Sequence, residues 1–248
     1  MFARLRPHML LEERGAIPEA PRYTCDKLGT GIQALPSKVT VTEDGGPSFF
    51  RPGGQDPLFW CFQIARGESN DLEPREDRSF QREQALKADA VLRLREVTPA
   101  KTMGAQRKLA DAEAELCGRR FTRGLGLQAL AAAYALPVLY VSGRTCCAMG
   151  PAVDDNAYAA VIRRVGTRNS RRHEVLVGPE VSPEAAKTVE SVWCVESWVK
   201  PLRGVSTYSL GELQGMVGKA GLRTHDPAGK RLKKADLHAA LGALAQQN

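Results

Sequence analysis

Several signals that would settle a function quickly are missing from this chain. Its 6 cysteines are Cys25, Cys61, Cys117, Cys146, Cys147 and Cys194. No two have C-x-x-C spacing, and neighbours such as Cys146 and Cys147 cannot easily bridge each other, so zinc-finger and disulfide-framework readings are both weak. His225 and His238 have no cysteine partners nearby, and no metal site or other cofactor is expected. The glycines at 53, 54, 143 and 150 fit neither a P-loop nor a dinucleotide fingerprint. No apolar run reaches the 18 or so residues of a membrane span. Near the start, Met9-Leu10-Leu11 gives way at once to Glu12 and Glu13, too short for a signal-peptide core, so an intracellular setting is expected. Aromatic residues are scarce at 6%, which leaves few large side chains to anchor a core.

What is present fits a globular protein. The 248 residues suggest one domain, or one plus a small module. An apolar content of 43% supplies a core and excludes wholesale disorder. The net charge of +7 favours polyanionic partners.

The chain divides into a proline-rich arm (1–47), an α/β or α+β main domain (48–203) and a small all-α module (206–248). In the arm, Lys38-Val39-Thr40-Val41-Thr42 alternates as a strand does. In the main domain, Asp56 suits an N-cap and Pro57 the first helical position, which predicts a short buried helix ending at Gly67. Residues 68–79 read as a charged surface loop. A solvent-facing helix is expected from Phe80 to about Arg95, and a second over residues 105–117. Residues 126–134 are apolar at helical spacing, and Pro137-Val138-Leu139-Tyr140-Val141 reads as a strand. Residues 150–205 read as β-rich, with strands at 158–165 and 174–177. From the end of the first strand to the approach of the second stand five arginines in ten residues, Arg163, Arg164, Arg168, Arg171 and Arg172. They predict a basic hairpin able to touch phosphate.

In the C-terminal part, Ser209 can N-cap a helix bearing Leu210, Leu213 and Val217, with Gly221 as its stop. A second helix carries Leu237, Leu241 and Leu244. The cations Lys219, Arg223, Lys230, Arg231, Lys233 and Lys234 outweigh Glu212, Asp226 and Asp236. Cations gathered at a helix N-terminus suit phosphate and carry no base readout. On Leu210, Leu213, Gly221-Leu222, Gly229-Lys230, Lys233 and Leu237, this part resembles the SAP and Rho N-terminal helix-extended-loop-helix modules, with a loop a few residues longer.

Phe50-Arg51-Pro52 followed by Asp56-Pro57-Leu58-Phe59-Trp60-Cys61-Phe62 resembles the signature of an uncharacterised protein family of nucleocytoplasmic large DNA viruses, the giant viruses of algae and amoebae. The likeness runs over about residues 48–245, through Leu127-Gln128-Ala129-Leu130, Tyr134, Val138-Leu139-Tyr140-Val141, Lys200-Pro201-Leu202, Tyr208, Leu210 and Leu213. It departs at Thr145-Cys146-Cys147, where relatives tend to have tyrosines. The resemblance implies a viral protein of the host cytoplasm, the virus factory or the virion.

One enzymatic arrangement fits the order of elements. Cys61 on an early helix and His173 opening a late strand are similar to the papain-like arrangement of OTU deubiquitinases, whose partners would be ubiquitin conjugates. In that pattern the cysteine directly precedes Leu-Phe, whereas Pro57 holds that place here. Cys61 lies one turn further in and is expected to face the core. The leading expectation is therefore a non-enzymatic protein that binds DNA or virion proteins through its basic C-terminal module. The alternatives are an active or degenerate OTU-like peptidase and a capsid-lining structural protein.

Overall fold

The computed structural model describes residues 47–67, 80–97, 106–118, 121–154, 156–166, 172–198, 200–226 and 229–246. The expected strand at 38–42 and the charged loop at 68–79 lie outside these residues. The described part is an α+β fold, with seven helices and a mixed five-stranded sheet among the described residues.

Helix α1 (Pro57–Ala65) forms where Asp56 and Pro57 predict it. The Asp56 carboxylate accepts the Phe59 N–H at 3.2 Å, and Pro57 opens the helix. Leu58 to Ile64 are all buried, so α1 is a core helix rather than an amphipathic one. Helix α2 (Phe80–Val97) does not simply face solvent as expected. Ala90, Val91 and Leu94 enter the core, and so do Glu83 and Lys87. The Lys87 ammonium is held by Asp56 at 2.7 Å and by Glu83 at 2.9 Å. The Trp60 indole N–H donates to the other Glu83 oxygen at 3.0 Å, and the Thr122 N–H donates to Asp56 at 2.6 Å. One ion network thus ties the start of α1 to α2 and to the approach to α4. Helices α3 (Gln106–Cys117) and α4 (Gly124–Ala133) complete this layer, burying Ala112, Leu116, Leu127 and Leu130.

The sheet order is β4-β3-β1-β2-β5. Strands β1 (Val138–Ser142) and β2 (Thr145–Met149) form a hairpin around Gly143-Arg144, with Gly143 at φ +59° as a tight hairpin turn requires. Strand β3 (Ala160–Val165) runs parallel to β1, and β4 (Arg172–Val177) pairs antiparallel with β3. The short β5 (Trp193–Val195) lies parallel to β2. Phe50 exchanges backbone hydrogen bonds with Val175, laying the incoming chain along the outer side of β4.

Side chains alternate across the sheet as the pleat demands. Tyr140, Cys147, Ile162, Val175, Trp193 and Val195 share a core with α1–α4. Leu139, Cys146, Val161 and Leu176 form a smaller core on the other face, with Val181 and Ala185 of α5 (Val181–Ser191). That helix corrects the β-rich expectation for residues 150–205.

Helices α6 (Leu210–Lys219) and α7 (Lys234–Gln246) form the helix–loop–helix expected at the C-terminus. Their buried Leu213, Val217, Leu237 and Leu241 belong to the same cluster as the α1–α4 layer. Trp198 also joins it, meeting Tyr140 edge-on at 5.0 Å.

Candidate functional site

Helix α6 begins with a reciprocal cap. The Ser209 hydroxyl accepts the Glu212 N–H at 3.2 Å, and the Glu212 carboxylate accepts the Ser209 N–H at 2.6 Å. That bond holds the Glu212 carboxyl below its ordinary range. The helix ends at Gly221, whose φ of +65° suits glycine. A β-carbon there would also run into the Arg144 guanidinium, so the β1–β2 turn is seated directly on the end of α6.

The loop between α6 and α7 is a small folded unit. His225 and Arg231 pair as an isolated antiparallel bridge, flanked by Asp226 N–H to Lys230 C=O at 2.8 Å and Leu232 N–H to Thr224 C=O at 3.0 Å. Asp226 also accepts the Lys230 N–H at 2.8 Å. At the entry to α7 the Asp236 carboxylate accepts the Lys233 N–H at 3.3 Å. Both loop aspartates are thereby turned onto backbone.

The lysine and arginine side chains are left outward. Arg223, Lys230, Arg231 and Lys233 are exposed, and none forms an ion pair among the described residues. Lys219 is exposed at the end of α6, its ammonium donating to the Val189 carbonyl at 3.2 Å, and Lys234 is half-buried beside Glu212. Arg144, exposed in the β1–β2 turn, adds a further cation against Gly221, which stands two residues before Arg223. Sequence reasoning passed over it because its place depends on a fold contact, although a cation in a Gly143-Arg144 turn is visible in the chain.

The arginine hairpin is arranged differently. Arg163 on β3 faces Glu174 on β4, its Nε and Nη2 donating to one carboxylate oxygen at 3.0 and 2.9 Å. Arg51 occupies the other oxygen at 2.5 Å. The Arg163 guanidinium also lies 3.6 Å above the Phe49 ring. Arg164 stands opposite His173 in register, and Arg172 is exposed at the start of β4. Arg168 and Arg171 lie outside the described residues.

Cys61 and His173 both lie on the α1 side of the sheet. Cys61 has 0% exposure and His173 has 7%. The His173 Nε2 is 3.3 Å from the Tyr140 hydroxyl. Burial pushes that phenol up to about 12, against the pull of Arg164, and Cys61 raises it slightly further. His173 therefore has a phenol as its hydrogen-bonding partner, a residue that sequence reasoning treated as part of a strand. A cysteine nucleophile needs an open path to a carbonyl carbon, and Cys61 is sealed beneath the sheet.

Among the described residues, no group of three or more His, Cys, Asp or Glu side chains is placed to hold a metal ion. No described helix is long and apolar enough to cross a membrane. No protein-family model, curated protein or solved structure matches the chain.

Proposed function

We propose that this protein binds DNA through its phosphate backbone, using the α6–loop–α7 unit, and carries out no chemistry on it. The reading rests on one observation: Arg223, Lys230, Arg231 and Lys233 project from a folded loop with no ion pairs among the described residues, while the loop's carboxylates are occupied by backbone. Fixed cations of this kind release counterions from a duplex without reading base edges. Arg144, Lys219 and Lys234 border the same unit. The engagement of Arg163 with Glu174 makes the arginine hairpin the lesser contributor. The resemblance of residues 50–62 to the large-DNA-virus family supports a DNA-rich setting such as a virus factory or virion. The papain- or OTU-like reading of the main fold has less support, because Cys61 is sealed and His173 is engaged with Tyr140.

The test is duplex binding by the full chain across a salt series. Removing the module would tear Leu213, Val217, Leu237 and Leu241 from the core, so point variants are the right comparison. Four phosphate contacts give a slope of roughly −4 in log affinity against log salt, and each cation removed takes about 1 from it. A variant with Arg223, Lys230, Arg231 and Lys233 all changed to Gln is expected to lose most of that slope. Binding that ignores salt, or a slope the variant leaves intact, overturns the proposal. No binding at low salt also overturns it and favours a lining role on virion proteins.

A further inference from the structure

Strands β2 and β5 place Cys146 and Cys194 opposite each other in register. Both lie on the sheet face covered by α5, since their neighbours Cys147, Trp193 and Val195 belong to the other face. Cys146 is buried, whereas Cys194 is exposed on the edge strand. The two thiols interact across the strand pair, an interaction that keeps the proton on Cys146.

The surroundings favour a thiolate at Cys194. Its sulfur meets the Cys146 thiol and the Ala148 backbone N–H, and feels the Lys219 ammonium from α6. Together these outweigh its partial burial and bring it down to about 7. The same interaction with Cys194, and then burial, push Cys146 well up. The other titratable groups coupled to the pair are Cys147, on the opposite face and pushed up to about 12 by burial, and the Tyr158 phenol, also raised by burial. Among these neighbours Lys219 supplies the positive charge.

We propose that Cys194 is an oxidation site and Cys146 its resolving thiol, so that a hydroperoxide converts the pair into a reversible disulfide joining β2 to β5. The Cys194 thiolate attacks the peroxide oxygen. A sulfur–oxygen bond forms, the oxygen–oxygen bond breaks, and the alkoxide takes a proton and leaves as an alcohol, or as water when the oxidant is hydrogen peroxide. Cys146 then attacks the sulfenic sulfur. A sulfur–sulfur bond forms, the sulfur–oxygen bond breaks, and the hydroxide leaves with the Cys146 proton as water. Overall the two thiols give up two electrons and two protons to the peroxide. Neighbouring strands stand about 4.8 Å apart, inside the roughly 4.4–6.8 Å range between α-carbons that a disulfide spans.

The test treats the reduced full chain with hydrogen peroxide, with and without a 1,3-dione that traps sulfenic acids, and maps the peptides by mass spectrometry. Wild type should yield a Cys146–Cys194 cross-linked peptide, reversed by dithiothreitol, with little trap adduct. Cys146→Ala should move the product to a trap adduct on Cys194, and Cys194→Ser should give neither. Lys219→Gln should slow alkylation of Cys194 by iodoacetamide at pH 7 several-fold. Because Cys146 is buried and its variant could misfold, the wild-type map is decisive by itself. Oxidation of the exposed Cys117 ahead of Cys194, or a wild-type sulfenic adduct that never resolves to the cross-link, overturns the proposal.

Discussion

The ammonium of Lys87 lies 2.7 Å from the Asp56 carboxylate, with both side chains 2% exposed. This ion pair sits under the first turn of α1 and shares its lysine with Glu83. Removing the cation would leave two carboxylates facing each other in the core. Lys87→Met is expected to cost about 3–5 kcal/mol, measured by urea denaturation. Losing less than about 1 kcal/mol would mean that water reaches the site and that the network does not organise α1.

Gly221 is constrained both by its positive φ and by the Arg144 guanidinium packed against it. Gly221→Ala is expected to cost about 1–2 kcal/mol for the backbone alone, and more with Arg144 in place. Against an Arg144→Ala background the same change should cost less. Equal costs in the two backgrounds, read by a double-mutant cycle, would show that the turn and the end of α6 are uncoupled.

The cap of α6 gives a signed dependence on pH. Glu212 has a lowered pKa in the folded chain, so its contribution is present above its unfolded value of 4.5 and is lost as pH falls through the folded value. The stability gap between wild type and Glu212→Gln should be widest near neutrality and close under acid. Ser209→Ala should cost about 1 kcal/mol and shrink that gap at pH 7. A gap that is flat between pH 7 and pH 3 would count against the reciprocal cap.

Leu213 and Leu237 are fully buried in the cluster that also holds α1 and α4. The C-terminal helices should therefore unfold with the sheet rather than before it. Leu237→Ala is expected to cost about 2–5 kcal/mol while keeping a single transition. That transition should coincide when followed by tryptophan fluorescence and by far-ultraviolet circular dichroism. Two separated transitions would make the module an independently folding unit.

Features encoded within a few residues were legible in the sequence. Asp56-Pro57 announces α1, and Ser209 three residues before Glu212 announces α6, because caps are local chemistry. Helix α5 was missed because Val181, Ala185 and Thr188 make a face of small residues and Pro183 stands in its first turn. Strand β2 was missed because Thr145-Cys146-Cys147-Ala148-Met149 carries one β-branched residue and no aromatic. In the site regions the gap is one of distance along the chain. The run of charges in α2 reads as a wet surface until Asp56, 31 residues earlier, meets Lys87. Cys146 and Cys194 become partners only through strand register, and the loop cations were readable because Lys230, Arg231, Lys233 and Lys234 fall within five residues of the chain. That Arg163 spends its charge on Glu174 depends on how β3 pairs with β4.

The two borders of the sheet bear on how copies of this chain behave when crowded. A long bare border offers a row of unpaired amides and carbonyls on which another chain can build, the usual seed of aggregation. Here Phe50 occupies the Val175 amide and carbonyl on the β4 side, and the opposite border is a strand of 3 residues. Many molecules of this chain can therefore be crowded together with little template for strand-by-strand growth into fibres.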